Sequence, residues 1–143
     1  EVAERVLGVV RRTPRAAELR FAVTIPPTTT AAIDETDLAE ILGNLMENAA
    51  RFAAGVVRIE AREDAGTTYI IVSDDGPGIP TEKRLQAVAR GVRLDLRGNG
   101  AGLGLAIVAD VAEAYGGRLT LEDALPGLKA VVTLPSNGRS GSG

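Results

Sequence analysis

The stretch Gly100-Ala101-Gly102-Leu103-Gly104-Leu105-Ala106-Ile107-Val108 passes from a glycine-rich turn into an apolar helical pattern within a few residues. Glycine lets a backbone approach a ligand with no Cβ in the way. A helix that opens at such a turn offers unpaired N–H groups and a partial positive charge, which suits an anion. The helical pattern runs over 102–115: Leu103, Ile107, Val111 and Tyr115 recur at i+4 steps, Val108 and Ala112 lie beside them, and Gly116-Gly117 ends it. This is not a P-loop, because no Lys and Ser/Thr pair follows the last glycine and no strand directly precedes the first. The dinucleotide fingerprint fails too, since the motif sits late in the chain, behind a charged segment.

Upstream, Asp74-Asp75-Gly76-Pro77-Gly78-Ile79-Pro80 puts carboxylates where a strand meets a turn. The ordinary meaning of Asp followed by Gly is a turn. An ionised carboxylate only accepts hydrogen bonds, so a recessed Asp there also suits an exocyclic amino group and rejects a carbonyl. Farther upstream, Asp34 or Thr36 caps a helix that reaches about Ala53, with Asp37 in its first turn. Leu38, Ile41, Leu42, Leu45, Ala49 and Phe52 fall on one side of it. Asn44, Asn48 and Arg51 fall on the other, within about 60° of one another, flanked by Glu40 and Glu47. A polar stripe usually means a solvated face, but Glu and Lys would make a better helix there than Asn.

The rest of the chain supplies a sheet. Glu1 to Arg12 has the spacing of an amphipathic helix, and Leu19, Phe21, Val23 and Ile25 alternate as in a half-buried strand. Pro26-Pro27 stops that strand, and Thr28 to Ile33 adds a short extended segment. Val56 to Arg62 and Thr67 to Ser73 read as a hairpin joined by Glu63-Asp64-Ala65-Gly66. Arg118 to Glu122 and Leu128 to Leu134 read as a closing strand pair. Thr81 to Arg97 is charged and weakly patterned, a mobile connection that with the residues up to Ala101 has the character of a lid. The sum is an α/β (α+β) two-layer sandwich: a mixed sheet of about five strands with three helices on one face.

Composition narrows the classes. A chain of 143 residues, 45% hydrophobic and 24% charged, is one ordinary globular domain. Two Phe, two Tyr and no Trp leave the core to Val, Ile, Leu and Ala. No Cys means no disulfide, Cys-ligated zinc or thiol chemistry, which suits a reducing cytoplasm. A formal charge of −3 argues against general nucleic-acid binding. Lys83, Arg84, Arg90, Arg93 and Arg97 cluster before the glycine turn, either as a solvated face or with one of them on phosphate. No run reaches the ~20 apolar residues of a membrane span, and there is no signal peptide. Starting at Glu1, the chain reads as a piece of a longer protein. The domain is expected over 1–135; 136–143 is low-complexity and reads as a flexible tail, for which a vector-encoded remnant is one source.

Taken in order, Asn44-Leu45-Met46-Glu47-Asn48-Ala49, the Asp74 to Pro80 cluster and Gly98 to Leu105 make the chain resemble a known family. It is similar to the catalytic and ATP-binding domain of bacterial sensor histidine kinases, within the gyrase, Hsp90, histidine kinase and MutL ATPase superfamily. Their glycine box ends Gly-Leu-Gly-Leu-Ala-Ile-Val, which Gly102 to Val108 reproduces in full. The resemblance covers Glu1 to Pro135 and implies the Bergerat-type ATP-binding fold.

Carried over residue by residue, it makes Asn44, Asn48 and Arg51 catalytic, with Asn48 on Mg²⁺ and Arg51 in place of a common phosphate-contacting Lys. It sets ATP against Asn48, Arg51, Phe52, Asp74, Gly76, Gly78 and Ile79. The phosphates fall to Gly100, Gly102, Leu103, Gly104 and Leu105. Asp74 is the base reader of Asp-x-Gly-x-Gly, and Asp75 is left as a solvent-facing turn residue. Arg90 and Arg93 carry over from the Arg-Gly segment of many sensor kinases, although 85–88 lack the phenylalanines that usually precede it. The hydrolytic branches place a Glu where this chain has Asn44, so no base is set to activate water; Glu47 lies on the flank.

The function this implies is Mg²⁺-ATP binding and transfer of the γ-phosphoryl group to a histidine on a separate dimerisation domain, since this chain has no histidine. A response regulator would follow. The fragment itself would be a monomer, the parent a cytoplasmic kinase or one anchored in the bacterial inner membrane, and homodimeric. An anti-sigma-type serine kinase of the same superfamily is the runner-up; it would be a complete short protein beginning at Met. A degenerate nucleotide-binding interaction module comes third, against the intact Asn48, Asp74, Gly76, Gly78, Gly102 and Gly104.

Overall fold

Period-2 alternation sets the sheet, and 3.6-residue periodicity sets the helices packed on it. A computed structural model describes residues 2–12, 18–26, 29–77, 101–124 and 126–136, with 101–103 as backbone. In chain order its elements are α1 (Val2–Val10), β1 (Arg20–Thr24), α2 (Glu35–Phe52), β2 (Val56–Asp64), β3 (Thr67–Asp74), α3 (Ala101–Ala114), β4 (Arg118–Asp123) and β5 (Leu128–Pro135). The five strands form one sheet in the order β1-β2-β3-β5-β4. β1 runs parallel to β2 and the other pairs are antiparallel. A parallel neighbour needs a crossover, and α2 is that crossover.

Along β2, β3 and β5, alternate residues turn to the helices: Val57, Ile59, Ile70, Val72, Ala130, Val132 and Leu134 share one core with Ile41, Leu42, Leu45, Met46, Leu105, Val108 and Ala112. The helices occupy that face, and the opposite face of the sheet carries no described helix. Asp74 keeps the phase of Ile70 and Val72, so its side chain enters the helical side at the strand's end, and it is 6% exposed.

Asp34 is the cap of α2, accepting the Thr36 N–H at 3.0 Å. Asp37 accepts a hydrogen bond from the Tyr115 hydroxyl, joining the start of α2 to the end of α3. At the far end of α3, the Gly117 N–H donates to the Ala112 carbonyl at 2.8 Å and closes the helix.

Residues 29–33 are irregular and are tied to the last strand by the Ala32 N–H on the Pro135 carbonyl at 2.7 Å. Val23 is 42% and Phe52 40% exposed, because β1 is an edge strand and Phe52 stands in the last turn of α2, past the buried ones. α3 buries Leu105, Ala106, Val108 and Ala112, with Val111 and Tyr115 partly buried against the same core, while Ile107 is 37% exposed. Ser136, which follows the expected boundary, is buried: its N–H bonds the Gly66 carbonyl, and its hydroxyl accepts from Thr68. The remainder of the expected tail, 137–143, and the expected lid over 81–97 lie outside the described residues.

The β2–β3 turn is a two-residue link with Ala65 at φ 54° and Gly66 at φ 83°. Two positive φ values match the twist of a hairpin, but alanine is poorly suited to the first. Ala65→Asn is therefore expected to stabilise the domain by about 1 kcal/mol, raising Tm by roughly 3 °C, as read by thermal unfolding. An unchanged or lower Tm would contradict this turn geometry.

Candidate functional site

The site is assembled where β3 ends against α2. Asp74 and Asp75 are neighbours with different tasks. The Gly76 N–H donates to Asp74 Oδ1 at 2.8 Å, and the Leu128 N–H also reaches this carboxylate. Burial pushes the Asp74 pKa above its ordinary 3.8, and the two N–H bonds offset that in part. The carboxylate still has acceptor capacity for a donor arriving from the helical side.

Asp75 is not a solvent-facing turn residue. Its Oδ1 accepts the N–H groups of Ala54, Gly55 and Val56 at 2.8, 2.9 and 3.1 Å, clasping the link between α2 and β2. The Gly55 bond, then that of Val56, holds its carboxyl below the usual 3.8. Two glycines make the approach possible. A Cβ on Gly76 would lie 1.8 Å from the Phe52 carbonyl oxygen, and one on Gly127, at φ +100°, would lie 1.7 Å from the Asp74 carbonyl oxygen. No side chain fits at either.

Asn48, on α2, is 7% exposed, and its side-chain amide has no hydrogen-bond partner among the described residues. Leaving such a group unsatisfied costs about 1–3 kcal/mol, so the fold sustains a polar atom that a ligand would complete. Asn44 differs: its Nδ2 donates to the Glu40 carbonyl at 2.8 Å, and its Oδ1 lies 3.2 Å from where a Cβ of Gly104 would be. Asn44 thus seats the first turns of α3 against α2. Arg51 is exposed in the last turn of α2, and Phe52 contributes its carbonyl to the Gly76 contact.

The structure therefore brings together Phe52 with Gly76, Asp74 with Gly76, and Asn44 with Gly104. Leu105 is buried in the core, and Gly102 and Leu103 fall in the first turn of α3. Gly78, Ile79, Arg90, Arg93 and Gly100 lie outside the described residues. Sequence reasoning missed Asp75 as a clasp and Gly127 as the residue packed on Asp74; the Pro126-Gly127 turn signature was the one visible hint of the latter.

Among the described residues no group of three or more His, Cys, Asp and Glu could hold a metal. A single amide oxygen suits Mg²⁺, which keeps several waters and takes few protein ligands, so the donors present fit that ion only alongside a ligand's own oxygens. No described helix is long and apolar enough to cross a membrane.

Residues 33–138 match the family of histidine kinase-, DNA gyrase B- and HSP90-like ATPases. The chain belongs to that family. Its relatives are sensor kinases: it is 45% identical over 118 residues to the sensor protein kinase CarS of Pseudomonas aeruginosa, across 82% of this chain and 26% of that protein. The chain thus spans about a quarter of the length of this relative. Among solved structures it is similar to the mycobacterial sensor histidine kinase MprB, with TM-score 0.75, 30% identity and 95% and 93% of the two chains covered. Full-length ShkA in complex with AMPPNP gives TM-score 0.80 at 32% identity, over 94% of this chain and 29% of that one.

The Asp75 bonds contribute stability in full above pH 3.8, and that stability is lost as pH falls through the lowered folded value. Asp75→Asn should accordingly lower the urea midpoint near neutral pH and converge on the parent in acid. A gap between the two that stays constant across the titration would contradict the clasp.

Proposed function

We propose that this domain binds Mg²⁺-ATP and presents its γ-phosphoryl group to a histidine on a separate, dimerising helical domain of a sensor kinase. The buried amide of Asn48, without a hydrogen-bond partner among the described residues, carries the reading. Its oxygen would hold the metal, which supplies charge neutralisation between the phosphates when bound. Asp74 accepts the adenine amino group on its ionised carboxylate. Arg51, exposed at the end of α2, reaches phosphate, and the opening turn of α3 offers N–H groups to the same oxygens. Asn44 keeps that turn in place. An amide is no general base, so this side chain cannot draw a proton from water, and the phosphoryl group is kept for the acceptor.

Gly78, Ile79, Gly100, Arg90 and Arg93 would complete the nucleotide contacts. The acceptor histidine belongs to the partner domain, because this chain contains none. A response regulator downstream, a homodimeric parent and a parent that is cytoplasmic or anchored in the inner membrane follow from the same reading, as does the absence of nucleic acid from its partners.

Two results are expected. Asp74→Asn weakens ATP binding by ~1–3 kcal/mol, and the parent domain prefers ATP to GTP by calorimetry; equal affinity for the two nucleotides would sink the base assignment. Because the Asp74 pKa is raised, adenosine affinity also starts to fall at a higher pH than an ordinary carboxylate would give.

The second concerns transfer. Mixed with a His-bearing helical domain and [γ-³²P]ATP, the parent domain labels the partner with acid-labile phosphate, whereas Asn48→Ala loses most of that label and keeps Mg²⁺-free ADP binding. Full transfer by Asn48→Ala, or acid-stable label on this chain itself, would overturn the reading.

A further inference from the structure

The cap of α2 is completed by a residue from the far end of α3. Asp34 is the N-cap, and Asp37 stands three positions on, where a capping-box carboxylate ordinarily reaches back to the N-cap N–H. Here the Tyr115 hydroxyl stands between the two: it donates to Asp37 Oδ2, and the Asp34 N–H reaches its oxygen. The bond to Asp37 first, and then desolvation, raise the Tyr115 pKa above its ordinary 10.0, so the hydroxyl keeps the proton it donates. Both side chains are half-buried.

Tyr115 is also held from behind. Gly116, at φ +86°, turns the chain out of α3, and a Cβ on Gly117 would lie 1.7 Å from the Thr133 carbonyl oxygen. The turn after Tyr115 therefore sits directly on β5. α3 is fixed to the sheet at its C-terminal end, and Tyr115 ties that end to α2. The two helices run antiparallel, since Asp37 meets Tyr115 and Asn44 meets Gly104. Leu105 and Val108 share a core with Ile41 and Leu45, and such burial holds helices together without direction. A hydrogen bond to a carboxylate is directional and stronger than a neutral one, and it fixes how far one helix is slid along the other.

We infer that Tyr115 is a positioning residue for phosphate binding: its bond to Asp37 sets the slide of α3 along α2, and hence the place of the opening turn of α3 relative to Asn48. This role rests on the function proposed above, in which that turn meets the phosphates. The hydroxyl lies about three helical turns, roughly 16 Å, from Gly104. It acts through the contact of Gly104 with Asn44, whose Oδ1 lies 3.2 Å from where a Gly104 Cβ would be, so a small slide of α3 displaces one or the other. The Asp74 end of the site does not depend on it, because Asp74 and Gly76 are held by each other, by Phe52 and by Gly127.

The test compares the ¹⁵N-labelled domain with Tyr115→Phe, which removes only the hydroxyl, and with Asp37→Asn, which weakens the acceptor. NMR titration gives the affinities for Mg²⁺-ATP and for adenosine, and the Gly104 amide and Asn44 side-chain signals are read without nucleotide. In both variants ATP affinity falls about fivefold, at the lower end of coupling between separated sites, while adenosine affinity stays at the parent level. The Gly104 and Asn44 signals move, although they lie roughly 16 Å from the change. The double variant loses no more than Tyr115→Phe alone, because the two groups act as one unit. A lowered Tm with an unchanged ratio of ATP to adenosine affinity means a purely structural bond and overturns the inference, as do unmoved Gly104 and Asn44 signals. A parent domain that binds no ATP overturns the proposed function and this inference together. A parent that binds ATP no better than Tyr115→Phe does overturns this inference alone.

Discussion

The Oδ1 atom of Asp75 takes three backbone N–H groups from the link between α2 and β2, and the geometry of the site rests on that clasp. Hydrogen bonds to an ionised acceptor are stronger than neutral ones, and these join the end of the helix that bears Asn48 to the end of the strand that bears Asp74. Gly76 then settles against the Phe52 carbonyl with no space for a Cβ, and its N–H fixes the Asp74 carboxylate. Gly127 closes the other side, with the Leu128 N–H on the same carboxylate. A side chain at either glycine would push Asp74 away from the helical face, so the site depends on backbone packing as much as on the groups that would touch a ligand.

Much of the fold was legible because it follows from local rules. The alternation of Val57, Ile59, Ile70 and Val72, the Asp34 cap and the Gly116-Gly117 stop each reflect a single element's own chemistry. What stayed hidden depends on distant partners. The three bonds of Asp75 come from residues about twenty positions earlier, and the contact of Gly127 on Asp74 spans the whole of α3 and β4. Helical phase placed Phe52 among buried residues, yet burial depends on what covers the last turn, and there the ring is exposed. The Asn44, Asn48 and Arg51 stripe was visible as a row, but not that its members split: Asn48 is buried, Asn44 is committed to Glu40 and Gly104, and Arg51 is exposed.

The strand β3 also joins the two faces of the molecule. Ser73 and Asp74 are adjacent, so alternation sends one to the open face and the other to the helical side. A net charge averages over both. Strand register brings Arg58, Arg62, Arg118 and Lys129 onto one surface together with Glu60, Asp64 and Glu122, a mixture that the chain's −3 does not reveal.

The most direct measurement is a crystal structure of this domain with Mg²⁺ and a non-hydrolysable ATP analogue. The account predicts the metal on Asn48 Oδ1, the adenine amino group on the Asp74 carboxylate, and the Asp75 bonds to Ala54, Gly55 and Val56 unchanged. A nucleotide bound with neither Asn48 nor Asp74 in contact would contradict it.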